Sequence, residues 1–165
     1  MPWICSEKVM HVASLSEWLS EFAKLIIYSD YQGKMQEVVK AVIYKDDKYL
    51  LQLRDDDPTI SYPNTWSFFG GGVDVGESHE EALKRELEEE LRWCPQELVF
   101  LKKDRNETVN CNITFYMVRC ETHENKLQLR EGQAMGWFTL SEVLSLDNAI
   151  NEVKNIIKMS EDYLK

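Results

Sequence analysis

Eleven charged side chains and four glycines crowd one short stretch of this 165-residue chain, and together they could do chemistry. The stretch is GGGVDVGESHEEALKRELEEELRW, from Gly70 to Trp93. Ser78 followed three residues later by Glu81 is a capping box, so a helix is expected to start just after Glu77. Pro95 restricts the residue ahead of it and should force the helix to end. At about 100° per residue, Glu86, Glu89 and Glu90 share an arc of roughly 100°. Leu83, Leu87 and Leu91 form a neighbouring apolar stripe that can face a core, and Glu77 stands at the mouth of the helix. Carboxylates gathered this closely raise one another's pKa unless a cation neutralises them. Mg²⁺ suits the task, because it takes carboxylate oxygens, keeps several waters and bridges to phosphate. Gly70, Gly71 and Gly72 would let backbone approach such an ion or a phosphate closely.

Without its spacing, HEEALKRELEEEL would describe a solvated helix face supported by Glu and Lys or Arg pairs, and a glycine triplet only a turn. The spacing argues for more. Gly71, five residues, Glu77, seven residues, then Arg85, Glu86, Leu87, Glu88, Glu89 and Glu90 resembles the Nudix box, G-x5-E-x7-R-E-U-x-E-E-x-G-U, with U an aliphatic or bulky apolar residue. Arg92 stands in place of the last glycine, and Trp93 fills the final apolar slot. The resemblance covers about Glu37 to Lys165. It implies an α/β (α+β) fold, an α/β/α sandwich with a mixed β-sheet between helices. It also implies a hydrolase dependent on Mg²⁺ or Mn²⁺, in which water attacks the pyrophosphate of a nucleoside diphosphate linked to another moiety. A (deoxy)nucleoside triphosphate is the expected small-molecule substrate, because the domain is compact. Nucleotide sugars, dinucleoside polyphosphates and a nucleotide-binding domain without catalysis are the alternatives.

The resemblance assigns roles residue by residue. Glu86, Glu89 and Glu90 match the family's metal-binding glutamates, and the Gly70 carbonyl is a further ligand. Glu86 or Glu89 is alternatively the base that deprotonates the water, and Arg85 is grouped with them in the catalytic set. Arg85 and Glu77 match positions that commonly pair, which would brace the loop against the helix. Gly71 and Gly72 are placed against the substrate. Arg54, at a strand end, is expected either to meet a substrate phosphate or to pair with Asp55 to Asp57 on the surface. Glu131 precedes a loop that supplies an extra carboxylate in some members. Tyr62, Trp66 and Phe68 read first as core or rim and second as stacking platforms for a base. His11, His79 and His123 show no pattern and are assigned to the surface. At Arg92, a side chain costs sterically wherever glycine would take a positive φ. Local adjustment of the helix end is expected there, with the carboxylates ahead of it retained.

The rest of the chain must position this stretch. A net charge of −10 argues against non-specific binding to nucleic acid or to an anionic membrane, both of which rely on Lys and Arg. MPWICSEKV lacks the basic start and apolar run of a secretory signal, and no segment has membrane-spanning length, so a cytoplasmic protein is expected. Cys5, Cys94, Cys111 and Cys120 form no Cys-x-x-Cys pair and read as reduced, mostly buried residues. Residues 1–36 are expected to form a helical extension, since Ser14 with Glu17 makes a capping box and Leu15, Trp18, Leu19, Phe22 and Ile26 recur at helical spacing. Packing on the main domain is favoured for it over a homodimer contact or a substrate lid. Residues 37–165 form the main domain. Within it, 38–44 and 49–54 predict a hairpin around a polar turn, 55–64 a loop, and 65–69 a short strand. Strands are expected at 97–103 and 111–120 around a turn at 104–110, with a further short strand at 126–130. A Trp-Phe strand near 137–138 leads into a helical turn at 139–144, and an amphipathic helix begins near Asp147.

Overall fold

The computed structural model describes residues 35–122 and 126–164. The helix expected near the amino terminus lies outside them, with its packing and any homodimer contact, as do His11 and His123. In chain order the elements are β1 (Gln36–Lys45), β2 (Lys48–Leu53), β3 (Trp66–Ser67), α1 (His79–Leu91), β4 (Val99–Asn106), β5 (Cys111–Arg119), β6 (Ala134–Thr139), α2 (Leu140–Ser145) and α3 (Asn151–Ser160).

The run VVKAVIY makes β1 apolar on both faces, as a strand covered by helices on each side must be. Val39, Ala41 and Ile43 join the cluster that includes Leu83, Leu87 and Leu91 of α1. Val42 joins the opposite cluster, with Val143 of α2 and Val153, Ile156 and Ile157 of α3. The sheet is mixed. β5 runs parallel to β1, from Gln36 opposite Cys111 to Tyr44 opposite Arg119, while β2 with β1, β2 with β6 and β4 with β5 are antiparallel. A mixed sheet between α1 on one side and α2 and α3 on the other is the α/β/α sandwich.

The β1–β2 hairpin does not stay closed. It pairs from Lys45 opposite Lys48 to Ile43 opposite Leu50 and then splays. β3 pairs with the far end of β2, and the chain beyond it bridges to β1 at Phe69 and Gly72. Val39 N–H donates to the Gly71 carbonyl at 2.9 Å and Ala41 N–H to the Phe69 carbonyl at 3.0 Å. The glycine triplet is therefore built into the sheet. Gly70 takes φ +111°, and a Cβ there would stand 2.3 Å from the Val39 carbonyl oxygen. Only glycine fits such a crossing.

Three expectations are corrected. β4 continues through Asn106, so the turn is confined to 107–110. Residues 126–130 make no strand; instead Gln128 N–H and Arg130 N–H each donate at 2.9 Å to the Leu91 and Glu90 carbonyls. Those carbonyls lie in the last turn of α1, which has no intrahelical donors left for them. His79 is not a plain surface residue, since its ring lies 3.3 Å from both a Glu37 carboxylate oxygen and the Thr114 hydroxyl.

The ends of α1 are fixed by local chemistry. Ser78 and Glu81 close the reciprocal capping box at the start. At the other end Arg92 adopts φ 52°, ψ 40°, the left-handed conformation, and its N–H donates to the Glu88 carbonyl at 3.1 Å. The helix is not displaced; Arg92 accepts the strained backbone that the missing glycine would have taken freely. Such strain costs about 1–2 kcal/mol, part of which glycine would return as chain entropy. Arg92→Gly is therefore expected to raise stability by roughly 1 kcal/mol and the melting midpoint by a few degrees. Thermal melts of the two proteins check this, and an unchanged or lower midpoint would contradict it.

Candidate active site

α1 presents its glutamates in two directions because its leucine stripe is pinned to the sheet. Leu83, Leu87 and Leu91 are fully buried. Glu90, one residue before Leu91, is carried inward and is only 6 % exposed. The Glu89 side chain, on the outer flank, is 55 % exposed, and Glu86 lies between at 17 %.

Arg85 ties the outer part together. Its guanidinium grips both oxygens of Glu77, each at 3.0 Å. It also donates to Glu86 at 2.7 Å, to Glu89 at 3.3 Å and to the Gly72 carbonyl at 3.0 Å. The planar fork suits this multiple grip, which a lysine could not reproduce. The Arg85 hydrogen bonds hold the Glu77 carboxyl below its usual range against a smaller opposing effect of burial, with help from the Asp74 N–H. The same bonds to Glu77 and Glu86 stabilise the charged guanidinium. Gly71 adds room. A Cβ there would lie 2.6 Å from the Glu86 carboxyl carbon and from both its oxygens, so the glycine is what lets this carboxylate lie against the strand. Nothing crowds a Cβ at Gly72.

The inner part centres on Gly70. Its N–H donates to one Glu90 oxygen at 2.7 Å, and Gln52 donates to the other at 3.2 Å. Burial pushes the Glu90 carboxyl above its usual range, opposed by the Lys40 charge and by those two hydrogen bonds. The Gly70 carbonyl accepts a very short hydrogen bond from Lys40 Nζ, which also reaches the Phe68 carbonyl at 3.5 Å. Burial of the Lys40 ammonium lowers its pKa, and Glu90 is the main influence opposing that. Neither Lys40 nor Gln52 figures in the sequence-level site. Their signal was present: each is a polar residue in an apolar strand, VVKAVIY and YLLQL.

The donor chemistry of Glu86, Glu89, Glu90 and the Gly70 carbonyl is that of a hard divalent cation. Among the described residues no three acidic, histidine or cysteine side chains converge as a ready ligand shell. Arg85, Lys40, Gln52 and the Gly70 N–H donate to these oxygens. The residues fit the ion in kind.

The remaining expected residues fall around this centre. Arg54 donates through Nε to the Ser61 carbonyl at 3.0 Å, shaping its own loop, and forms no ion pair among the described residues. Glu131 is brought beside Glu89, with Glu88, Arg92 and Arg130, around a cleft of about 530 Å³. Tyr62 lines another cleft of about 490 Å³ with Asn106, Asn151 and Glu152. Phe68 packs edge-on against Phe115 within the core, and Trp66, partly buried, packs edge-on against Phe138 at its margin.

The Glu77–Arg85 grip makes a prediction about acid. A depressed carboxyl pKa contributes stability that is complete above the ordinary glutamate value of 4.5 and is lost as pH falls through the lower folded value. Glu77→Gln is thus expected to lower the melting midpoint at neutral pH and to flatten its decline below pH 4.5. Parallel acid limbs for the two proteins would refute this.

Comparison with known proteins agrees with these features. A family model described as NUDIX domain matches residues 34–159. The chain is 33% identical over 111 residues to the CTP pyrophosphohydrolase of Escherichia coli K12, covering 67% of this chain and 81% of that one. It is 43% identical over 58 residues to the nucleoside triphosphatase NudI of E. coli, covering 35% of this chain but only 40% of that protein. The solution structure of the E. coli ORF135 protein superposes with a TM-score of 0.63 at 27% identity, covering 81% of this chain and 94% of the other. With the box spacing, the sandwich and the braced acidic helix all in place, the chain belongs to the Nudix family of hydrolases.

Proposed function

We propose that this hydrolase cleaves the pyrophosphate bond of a (deoxy)nucleoside triphosphate, using Mg²⁺ or Mn²⁺, and that it works in the cytoplasm. The observation that carries the reading is the Arg85 fork, which gathers Glu77, Glu86 and Glu89 onto one flank of α1 beside Gly72. The substrate class draws support from the relatives, whose names specify a nucleoside triphosphatase and a CTP pyrophosphohydrolase. Cys94 and Cys111 carry free thiols, in keeping with a reducing compartment, and no described helix is long and apolar enough to cross a membrane.

Glu86, Glu89, Glu90 and the Gly70 carbonyl would hold the ion, which neutralises phosphate oxygens and so eases attack at phosphorus. The chain's own residues supply orientation and proton transfer. Arg85 and Gly71 fix Glu86 in place. Glu89, more exposed and held by Arg85 at 3.3 Å, would take the proton of the attacking water in place of binding the ion. The water oxygen bonds to phosphorus, the bridging P–O bond breaks, and the bridging oxygen leaves with its electron pair on pyrophosphate. Gly72 and Arg54 line the approach of the phosphate chain, and Glu131 faces it from the cleft shared with Glu89.

Incubation with a panel of nucleoside triphosphates and Mg²⁺ or Mn²⁺ is expected to yield a nucleoside monophosphate and pyrophosphate in equal amounts. No product from any nucleoside-diphosphate derivative would remove the proposal. Glu89→Gln is expected to lower the rate by a factor of about 10² or more, and an unchanged rate would remove Glu89 from the reaction. Gly71→Ala should displace Glu86 and reduce the rate at least about tenfold, an effect on placement of the reacting groups. Full activity in that variant would show that the Glu86 position against the strand is not needed.

A further inference from the structure

The Gly70 carbonyl, one of the oxygens expected to face the metal, is already held by a cation that belongs to the chain. Lys40 Nζ donates to it, and at 3.5 Å to the Phe68 carbonyl. No carboxylate among the described residues stands within ion-pair distance of this ammonium, yet the negative charges of Glu90, Glu86 and Glu152 all bear on it. Its placement is that of a counter-ion to the acidic cluster as a whole, coordinated by backbone carbonyls. Lysine carries its charge as a compact point on a flexible stem, so the group can withdraw without disturbing β1. A divalent ion on the same carbonyl would meet it as a like charge at close range.

We propose that Lys40 is a tethered counter-ion of the carboxylate cradle and competes with the divalent metal for the Gly70 carbonyl, so that the metal seats only as the ammonium withdraws. The inference rests on the metal-dependent reading above. Glu152, half-buried at the start of α3, lies close enough for its charge to bear on Lys40 and lines a cleft with Asn151 and Asn106; it would offer the released ammonium a partner. Lys40 is in this view a positioning residue that acts through the metal and sets how much metal the protein needs.

The test measures metal binding in the absence of nucleotide. Mn²⁺ is titrated by calorimetry or by loss of its free paramagnetic signal into the wild type, Lys40→Met and Lys40→Arg. Lys40→Met is expected to bind Mn²⁺ at least about tenfold more tightly, because a like charge has been removed beside the site. Lys40→Arg, which keeps the charge, should stay within about threefold of wild type. Equal or weaker binding by Lys40→Met overturns the proposal. Should that variant fail to fold, the wild type supplies a second readout. The rate of Lys40 acylation by an amine-reactive ester, followed by peptide mass spectrometry, should rise at saturating Mg²⁺ as the ammonium leaves the carbonyl; an unchanged or slower rate overturns the proposal. Nucleotide hydrolysis that persists alongside unaltered Lys40→Met affinity would sink the counter-ion proposal alone. Failure of every form to bind either metal, with no hydrolysis, would sink the metal-dependent reading and the counter-ion proposal with it.

Discussion

Mutual repulsion among carboxylates on one helix is the constraint from which the rest of this structure follows. Glu86, Glu89 and Glu90 sit within two turns of α1, and the folded protein must hold their charges together. It divides the task. Arg85 serves the outer flank and, through Glu77, locks the loop of residues 72–78 onto the helix. Lys40 and the Gly70 N–H serve the inner flank, where Glu90 lies against the sheet. Two cations of different shape do two different jobs: a planar fork gathers several oxygens, and a compact ammonium neutralises a region.

This division gives the glycines distinct purposes. Gly70 is a matter of backbone, since its positive φ and its closeness to Val39 exclude any side chain. Gly71 is a matter of space, since it makes room for Glu86. Gly72 contributes its carbonyl to Arg85 and leaves an open side toward solvent. Arg92 shows the reverse case, in which a glycine position is filled by a residue that tolerates left-handed backbone at a modest cost. The cost stays local because Gln128 and Arg130 hold the last carbonyls of α1 from outside.

Much of this was legible in the residues alone. The capping box, the leucine stripe and the spacing from Gly71 to Glu90 located α1 and its charged flank, because helix periodicity and capping are local properties. The sandwich followed from the order of strands and helices and from the family resemblance. What escaped was non-local. That the β1–β2 hairpin opens to admit residues 66–73 depends on pairing across the sheet, which no window of sequence contains. The inward turn of Glu90 depends on which side of the leucine stripe the sheet lies. Lys40 and Gln52 stood out as polar residues in apolar strands, yet only the sheet register shows that both reach the Phe68 carbonyl. The short strand expected at 126–130 failed for a related reason: its backbone groups found partners at a helix end, and a strand pattern cannot announce that choice.

The splayed hairpin has a consequence for how the site comes into being. Backbone that meets the acidic cluster accepts hydrogen bonds from β1 in the interior of the sheet, the Gly71 carbonyl from Val39 N–H and the Phe69 carbonyl from Ala41 N–H. The Val39 and Ala41 amides open only with the cooperative unit they belong to, so they should exchange their hydrogens with solvent about as slowly as the core itself. The site therefore has no independent melting of its own. It is assembled in the same event that folds the protein, and what remains adjustable within it is confined to side chains.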